Sequence, residues 1–111
     1  MSEFVYLYRG GRRAESPAEG EKQMQRWVAW LQELSETGHM KDRGQPLEAE
    51  GKVVRSKGRS ITDGPYAESK DVIGGYTLID AKDLAEAAEL AGGCPIFEYD
   101  GLVEVRPVMK M

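Results

Sequence analysis

Residues 3–9 read Glu-Phe-Val-Tyr-Leu-Tyr-Arg, and this stretch decides which kind of fold the chain can adopt. Aromatic and β-branched residues favour strands, and successive side chains of a strand point to opposite faces. Alternation produces an aromatic face and an aliphatic face, made of Phe4, Tyr6 and Tyr8 and of Val5 and Leu7, respectively. The stretch therefore predicts a strand that needs cover on both faces.

A helix is predicted after Gly10 and Gly11 end this strand. Ser16 can cap the helix, Pro17 suits its first turn, and Glu19 completes a capping box. Five apolar residues recur at helical spacing and form the face expected to pack on a sheet: Met24, Trp27, Val28, Leu31 and Leu34. Trp30 lies at the border of this stripe, so it is interpreted as the rim of the core or as part of a subunit contact or pocket wall. Gly38 supplies the stop.

Short extended segments follow. Residues 52–56 and 59–62, separated by Lys57-Gly58, predict a hairpin, and residues 72–79 predict another strand. Residues 80–83 begin a second helix that runs to about Ala91. Its expected buried stripe consists of small or aliphatic residues, namely Leu84, Ala87, Ala88 and Ala91. Residues 102–106 predict the final strand.

The resulting order is β-α-β-β-α-β, which is the ferredoxin-like pattern of an α+β sandwich with two helices on one face of an antiparallel sheet. The length of 111 residues suits a single domain over residues 1–111. Helices cover one face, yet the strands are apolar on both. Since large apolar faces mark interaction surfaces, we expect a second subunit to pack sheet against sheet in a two-fold symmetric homodimer.

Composition excludes several classes of partner. The net charge is −4, from 15 basic and 19 acidic residues, so neither nucleic acid nor an anionic membrane is an expected partner. No run approaches the roughly 20 apolar residues of a membrane span, and the N-terminal segment lacks the pattern of a secretion signal. The single cysteine, Cys94, has no intrachain partner and is interpreted as a small apolar residue near a loop. These features predict a cytoplasmic protein.

The densest chemistry lies in residues 61–68, which read Ile-Thr-Asp-Gly-Pro-Tyr-Ala-Glu. Two carboxylates, Asp63 and Glu68, flank the Gly64-Pro65 pair. This pair favours a rigid turn because Gly64 can take positive φ and the φ of Pro65 is fixed. Functional side chains often lie on loops that a sheet supports, so the segment is a candidate site.

Charged and aromatic residues of the predicted strands are further candidates. Glu104 and Arg106 are two residues apart and project from one sheet face together with Leu102. Arg106 can anchor a carboxylate, from Glu68 or from an acidic substrate, or form a structural ion pair with Glu104 or a neighbouring strand. Three tyrosines can line a small-molecule pocket or act as packing groups: Tyr6, Tyr8 and Tyr76.

His39, the single histidine, directly follows the first predicted helix. It can assist proton transfer, but positive charge at a helix end also favours a surface role there. One histidine, one cysteine and scattered acids show no metal-ligand spacing. Gly74-Gly75 lies in a strand pattern rather than in a phosphate-binding loop, and neither Ser60 nor Ser69 belongs to a nucleophile elbow. We therefore expect no metal and no cofactor.

Three motifs together resemble the YCII-related proteins, specifically the branch named for its Asp-Gly-Pro-Phe (DGPF) motif: Asp63–Lys70, Gly74–Tyr76 and Val103–Val108. The first strand and the helix around Trp27 fit the same family. The resemblance implies a ferredoxin-like subunit, a dimeric α+β barrel and a cleft lined by the three motifs. A few related proteins act on small lactone or halogenated aromatic-derived substrates. Tyr66 stands where the branch has Phe, which adds a hydroxyl to the turn.

The resemblance assigns Asp63 as the catalytic or ligand-binding carboxylate, with general acid or base chemistry as its role. In the alternative, structural role, the Asp63 carboxylate accepts hydrogen bonds from backbone N–H groups of the turn. Glu68 would bind a polar substrate or hold Lys70 or Arg106, or else form an exposed salt bridge.

Three functions follow as hypotheses. In the first, a dimer cleft binds a small polar or anionic molecule and supports cofactor-free isomerisation, elimination or hydrolysis. In the second, the protein is a non-enzymatic ligand-sensing or regulatory module associated with sigma-factor-type transcription regulators, as the resemblance suggests. In the third, the dimer is structural and its cleft is vestigial.

Overall fold

A four-stranded sheet with two helices, and a separate two-stranded hairpin, make up the part of the chain that the computed structural model describes, residues 1–56, 60–66 and 71–111. The elements in chain order are β1 Ser2–Gly10, α1 Pro17–Glu36, β2 Met40–Asp42, β3 Gly51–Arg55, β4 Ser60–Gly64, β5 Ile73–Ala81, α2 Leu84–Ala91, a 3₁₀ helix Pro95–Tyr99 and β6 Gly101–Pro107.

The main sheet has the strand order β2-β5-β1-β6, and its neighbouring strands are antiparallel. Tyr6 in β1 lies opposite Thr77 in β5 and Val105 in β6. The first and last strands of the chain are thus neighbours, with β1 and β5 in the centre of the sheet and β6 at one edge, while the two helices lie in the connections. This arrangement confirms the predicted ferredoxin-like α+β fold.

The second strand of the main sheet was missed by the sequence analysis, which placed the hairpin in the ferredoxin pattern instead. β2 has only three residues, and its register against β5 shifts between Met40 and Asp42, so it shows no alternating pattern. The chain then continues along β5, where the Leu47 N–H donates to the Gly74 carbonyl at 2.9 Å. The predicted hairpin does form, as β3 paired with β4, but as a sheet of its own.

The first helix begins at the predicted cap, Ser16, and the second begins after Asp83, the last residue of its predicted start, whereas residues 80 and 81 still belong to β5. The Ser16 hydroxyl accepts from the Glu19 N–H at 3.1 Å, and the Asp83 carboxylate accepts from the Glu86 N–H at 2.9 Å. The capping box is incomplete, because the Glu19 carboxylate accepts from the N–H of Glu15, at 3.4 Å, rather than from that of Ser16. The side chains at the caps therefore determine where the helices start.

The buried face of α1 differs in part from the predicted stripe: Trp27, Leu31 and Leu34 face the core as expected. Trp30 and Leu34 are buried, whereas Met24 and Val28 are 64% and 43% exposed. The reason is aromatic packing: the Trp30 ring stacks on Tyr6 with centroids 6.0 Å apart. Burial of large aromatic surfaces outweighs that of Met and Val side chains at the helix rim. Trp30 thus belongs to the core.

The face of α2 also differs in part from the prediction. Ala87 and Ala91 are buried as expected, whereas Leu84 and Ala88 are exposed. The helix is short, and the Tyr6 hydroxyl donates to the Ala87 carbonyl at 2.6 Å. This contact orients α2 with Ala87 rather than Leu84 against the sheet.

Both described helices pack on the face of the main sheet that carries Phe4, Tyr6 and Tyr8, and the opposite face is called the open face here. Its cross-strand rows follow from the register: Leu78, Val5 and Arg106 form one row, Tyr76, Leu7 and Glu104 form the next, and Arg9 lies opposite Leu102. Val5, Leu7, Tyr76 and Leu78 are only half-buried within the subunit. The predicted lack of cover on one sheet face is therefore present in the fold.

The hairpin, called the arm here and defined by β3 and β4, extends away from the body. The radius of gyration is 15.4 Å, whereas a compact chain of this length has roughly 13 Å. No described helix is long and apolar enough to cross a membrane.

Candidate functional site

Two charged residues of the open face, Arg9 and Glu104, form an ion pair that the sequence did not predict. Arg9 Nε donates to Glu104 Oε1 at 2.7 Å, and Arg9 Nη1 donates to the Asp71 carbonyl at 2.6 Å. Glu104 is thus paired with Arg9 rather than with Arg106, the partner that the sequence analysis had considered. The Arg9 guanidinium, on the neighbouring strand, neutralises the Glu104 charge. Glu104 is therefore not the partner of Arg106.

Arg106 lies in β6 opposite Val5 and is exposed. Among residues 1–56, 60–66 and 71–111 no acidic side chain forms an ion pair with it. Its guanidinium presents planar N–H donors that suit a carboxylate. Arg106 is therefore a cationic group on a half-apolar surface.

Tyr76 shares the open face and lies opposite Leu7. Its backbone is held by the segment after β2: the Tyr76 N–H donates to the Gln45 carbonyl at 3.3 Å. Gly44, with φ of 73°, packs so closely that a Cβ there would lie 1.7 Å from the Tyr76 carbonyl oxygen. This packing fixes the strand from which the Tyr76 ring projects.

Tyr6 and Tyr8 lie on the opposite face, in the core below the helices. The Tyr8 ring packs edge-on against Trp27, with centroids 4.8 Å apart. Burial raises the pKa of both phenols well above their ordinary value. Both hydroxyls donate to protein acceptors, Ala87 and Thr77, so these tyrosines serve as the packing groups that the sequence analysis had weighed.

Asp63 lies on the arm, at the end of β4. It pairs across the hairpin with Lys52, whose Nζ is 2.5 Å from Asp63 Oδ1. The Asp63 side chain is 87% exposed and that of Lys52 is 67% exposed. Asp63 therefore accepts from an ammonium group, and its carboxylate is in water within the subunit.

The Asp-Gly-Pro segment ends a strand, a correction to the predicted turn. Gly64 pairs with Gly51 in the hairpin and is not among the glycines of positive φ, and the Gly64-Pro65 peptide is cis. Tyr66 is exposed, with the Arg55 guanidinium 5.1 Å from its ring centroid. Pairing with β3 holds Asp63 in place, where the sequence analysis had expected a braced loop.

The candidate residues thus divide into two groups. Arg106 and Tyr76 share the open face, while Asp63 is on the two-stranded sheet, and no described hydrogen bond or ion pair joins Asp63 to either. Glu68 and its proposed partner Lys70 lie outside the described residues. One subunit therefore presents the cation and the carboxylate on separate structural units.

His39 joins the end of α1 to β5. Its Nδ1 lies 2.8 Å from the Asp80 carbonyl, and its own carbonyl accepts from the Asp80 N–H at 2.8 Å. The ring is half-buried in this contact. This position matches the helix-end role given to it.

A groove between α1, α2 and the 3₁₀ helix was not predicted. It has a volume of about 790 Å³, and its wall includes Trp30, His39, Cys94 and Phe97. Burial raises the pKa of the Cys94 thiol to about 12. The groove is assembled from three elements, and the sequence signal for it was Trp30, one interpretation of which was a pocket wall. Its rim is acidic, with Glu33, Glu89 and Glu98, the last paired to Arg26 at 2.7 Å.

The described part of the chain contains no group of three His, Cys, Asp or Glu side chains placed to hold a metal ion. The fold and the open face define a ferredoxin-like α+β domain whose open face carries an exposed arginine beside Val5. The chain belongs to the YCII-related domain family, whose model matches residues 4–111. No curated protein matches the chain.

Proposed function

We propose that the protein is a homodimer of the DGPF branch that binds a small polar or anionic molecule between its subunits, at the open face. The observation that carries this proposal is the position of Arg106 on the half-apolar open face. Glu104, the acidic residue next to it on that face, is already paired with Arg9. A second sheet over this face would exclude water and strengthen the contact between Arg106 and an anionic ligand. Packing of this kind is the dimeric α+β barrel that the resemblance implies.

The branch assignment rests on residues 63–65, Asp-Gly-Pro, with Tyr66 in place of Phe. A cytoplasmic location is part of the same proposal, supported by the free thiol of Cys94.

Acid and base catalysis through Asp63 is the enzymatic form of the proposal. The carboxylate would accept a proton from the substrate, and the resulting carboxylic acid would return it, which suits a cofactor-free isomerisation, elimination or hydrolysis. Such a group works best where burial shifts its proton affinity, and Asp63 is 87% exposed within one subunit. Catalysis therefore depends on cover from a second copy.

Ligand sensing without turnover is the second candidate function. The observation that favours it is the ion pair of Asp63 with Lys52, in which the Asp63 side chain is 87% exposed within the subunit. In this form, ligand binding would signal to a sigma-factor-type transcription regulator through protein contact. Direct DNA contact is disfavoured by the net charge of −4.

Calorimetric titration with a panel of small keto acids and lactones tests the proposal. Arg106→Gln should weaken binding of the keto acids about 10- to 100-fold, because a charge-assisted hydrogen bond contributes about 1.5–3 kcal/mol. Arg26→Gln is the matched control, since Arg26 lies on the helix side and pairs with Glu98. Equal keto-acid affinity in wild type and Arg106→Gln would exclude Arg106 as the anchor.

Asp63→Asn separates the two functions. If the wild-type protein turns over a substrate, and Asp63→Asn abolishes turnover but retains ligand binding, the protein is an enzyme. Binding without turnover in the wild-type protein, together with ligand-dependent capture of a transcription regulator, identifies a sensor.

A further inference from the structure

We infer that the groove between α1, α2 and the 3₁₀ helix binds an arginine-containing segment of a partner protein. The groove lies on the helix side of the main sheet, where Trp30 stacks on Tyr6. A second subunit on the open face would leave it accessible. The inference therefore goes beyond the proposed function and does not depend on the ligand site at Arg106.

The wall of the groove contains a hydrogen-bond donor that has no acceptor. Trp30 is only 6% exposed, yet no group of residues 1–56, 60–66 and 71–111 accepts a hydrogen bond from its indole Nε1. Gly93, also in the wall, has no side chain to cover this nitrogen, since a Cβ there would lie 3.1 Å from it. An indole N–H is a donor only, so an acceptor carried by a ligand fits this position.

The same wall carries carboxylates that have no cationic partner. Its charged residues are one arginine and three glutamates, which give a net charge of −2 with His39 neutral. Arg26 pairs with Glu98 at 2.7 Å. In the part of the chain that the structure describes, no cationic side chain pairs with Glu33 of α1 or Glu89 of α2. The groove therefore favours a positively charged ligand.

A guanidinium group is the cation that suits this wall best. It binds carboxylates through two parallel N–H donors, and it stacks on aromatic rings. Phe97 supplies a ring, since it lies in the wall and is 49% exposed. Arg26 and Glu98 show this kind of pair already formed within the wall.

A peptide combines this cation with the acceptor that Trp30 lacks. A guanidinium group has donors only, so it cannot accept from Trp30 Nε1, whereas the carbonyl of a neighbouring peptide bond can. The apolar wall residues Leu90 and Pro95 can contact the methylene groups of an arginine side chain. The volume of about 790 Å³ is within the roughly 300–1,000 Å³ of ligand sites, which gives room for a short segment.

Fluorescence anisotropy with a labelled peptide, Leu-Arg-Ala-Arg-Leu, tests the charge requirement. The double variant Glu33→Gln with Glu89→Gln should bind the peptide about tenfold more weakly than wild type, because each exposed ion pair contributes up to about fivefold. Glu21→Gln with Glu36→Gln is the matched control, since it removes the same charge from α1 outside the groove and should change the affinity less than about twofold. A peptide with citrulline in place of arginine should bind at least about tenfold more weakly.

Equal weakening by the two double variants would assign binding to net charge alone and overturn the inference. Equal affinity for the arginine and citrulline peptides would do the same. So would the absence of any anisotropy change up to about 1 mM protein.

The indole signals in a ¹H–¹⁵N spectrum test where the peptide lies. The Trp30 N–H signal should shift as peptide is added, because its proton gains an acceptor. Trp27 is the internal control, since it packs on Tyr8 and is not part of the groove wall, and its signal should move far less. Trp27→Phe identifies the two signals. Binding that leaves the Trp30 signal in place would put the peptide elsewhere and refute the inference.

Other occupants of the groove give distinct results. Arginine amide that binds as tightly as the peptide would make the groove a small-molecule site. A second copy of the chain would give assemblies larger than a dimer, which Glu33→Gln with Glu89→Gln would dissociate in sedimentation velocity. Either result would overturn the inference, while the keto-acid titration of Arg106→Gln tests the proposed function separately.

Discussion

The Tyr8 hydroxyl donates a hydrogen bond to the Thr77 hydroxyl oxygen at 2.7 Å, across 69 positions of sequence. Thr77 in turn donates to the Arg43 carbonyl at 2.9 Å. These two bonds connect β1 to β5 and β5 to the segment after β2. They lie on the core side of β5, the strand that also carries Tyr76. The two hydrogen bonds thereby join three segments that are distant in sequence.

Tyr8→Phe should lower the free energy of unfolding by about 1 kcal/mol, because it removes one buried hydrogen bond and leaves the Thr77 oxygen without that donor. Urea denaturation followed by circular dichroism measures the change. Tyr66→Phe is the matched control, since Tyr66 is exposed, and it should leave stability unchanged. Equal midpoints for wild type and Tyr8→Phe would show that the hydroxyl contributes nothing.

Arg9 and Glu104 should show a coupling energy of about 0.5–1 kcal/mol in a double-mutant cycle with Arg9→Gln and Glu104→Gln. Their side chains are about one-third exposed, so salt should weaken the coupling only partly. The Lys52 and Asp63 pair is the exposed comparison and should couple nearer to zero in monomeric protein. A larger coupling for the exposed pair would contradict this ranking.

Gly44→Ala should be clearly more destabilising than Gly38→Ala. Both glycines have positive φ, of 73° and 81°, which costs other residues roughly 1–2 kcal/mol. Only at Gly44 would the added Cβ also collide with a carbonyl, that of Tyr76, whereas nothing lies within 4 Å at Gly38. Thermal denaturation of the two variants provides the comparison, and equal losses would refute the close packing at Tyr76.

Stability should fall as pH rises above about 9. The folded state raises the pKa of Cys94 from 9.0 to about 12 and also raises the pKa of Tyr6 and Tyr8. The unfolded chain loses these protons at lower pH, so it binds fewer protons than the folded chain, and unfolding becomes easier as pH increases. Urea midpoints between pH 8 and 10.5 measure this slope.

Cys94→Ala serves as the control for the pH dependence. It should remove the part of the decline that begins near pH 9 and leave the part due to the two phenols. A decline identical to that of the wild-type protein would show that the thiol ionises equally in both states.

Local features of the chain were predictable. Ser16 caps the first helix as predicted, Asp83 is the last residue of the predicted start of the second, and β1, β5 and β6 lie close to their predicted ranges. The shared face of Glu104 and Arg106 follows from the two-residue period of a strand. Each of these features depends on residues within a few positions of one another.

Other features required contacts distant in sequence. β2 is too short to show a period, and the face of α1 depends on how Trp30 packs against Tyr6. The partner of Glu104 proved to be Arg9, 95 positions away, because β1 and β6 are neighbours in the sheet. No local pattern reports which strands will be adjacent.

The sequence by itself determined the α+β class, the N-terminal cap of the first helix and the presence of a hairpin close to the Asp-Gly-Pro motif, because capping and alternation act over a few residues. Only the tertiary structure decided that Asp63 lies on an extended arm while Arg106 lies on the open face of the main sheet. Strand pairing is the physical reason. The free energy that selects one register comes from side chains brought together across the whole fold, so it decides which charges meet and which remain apart.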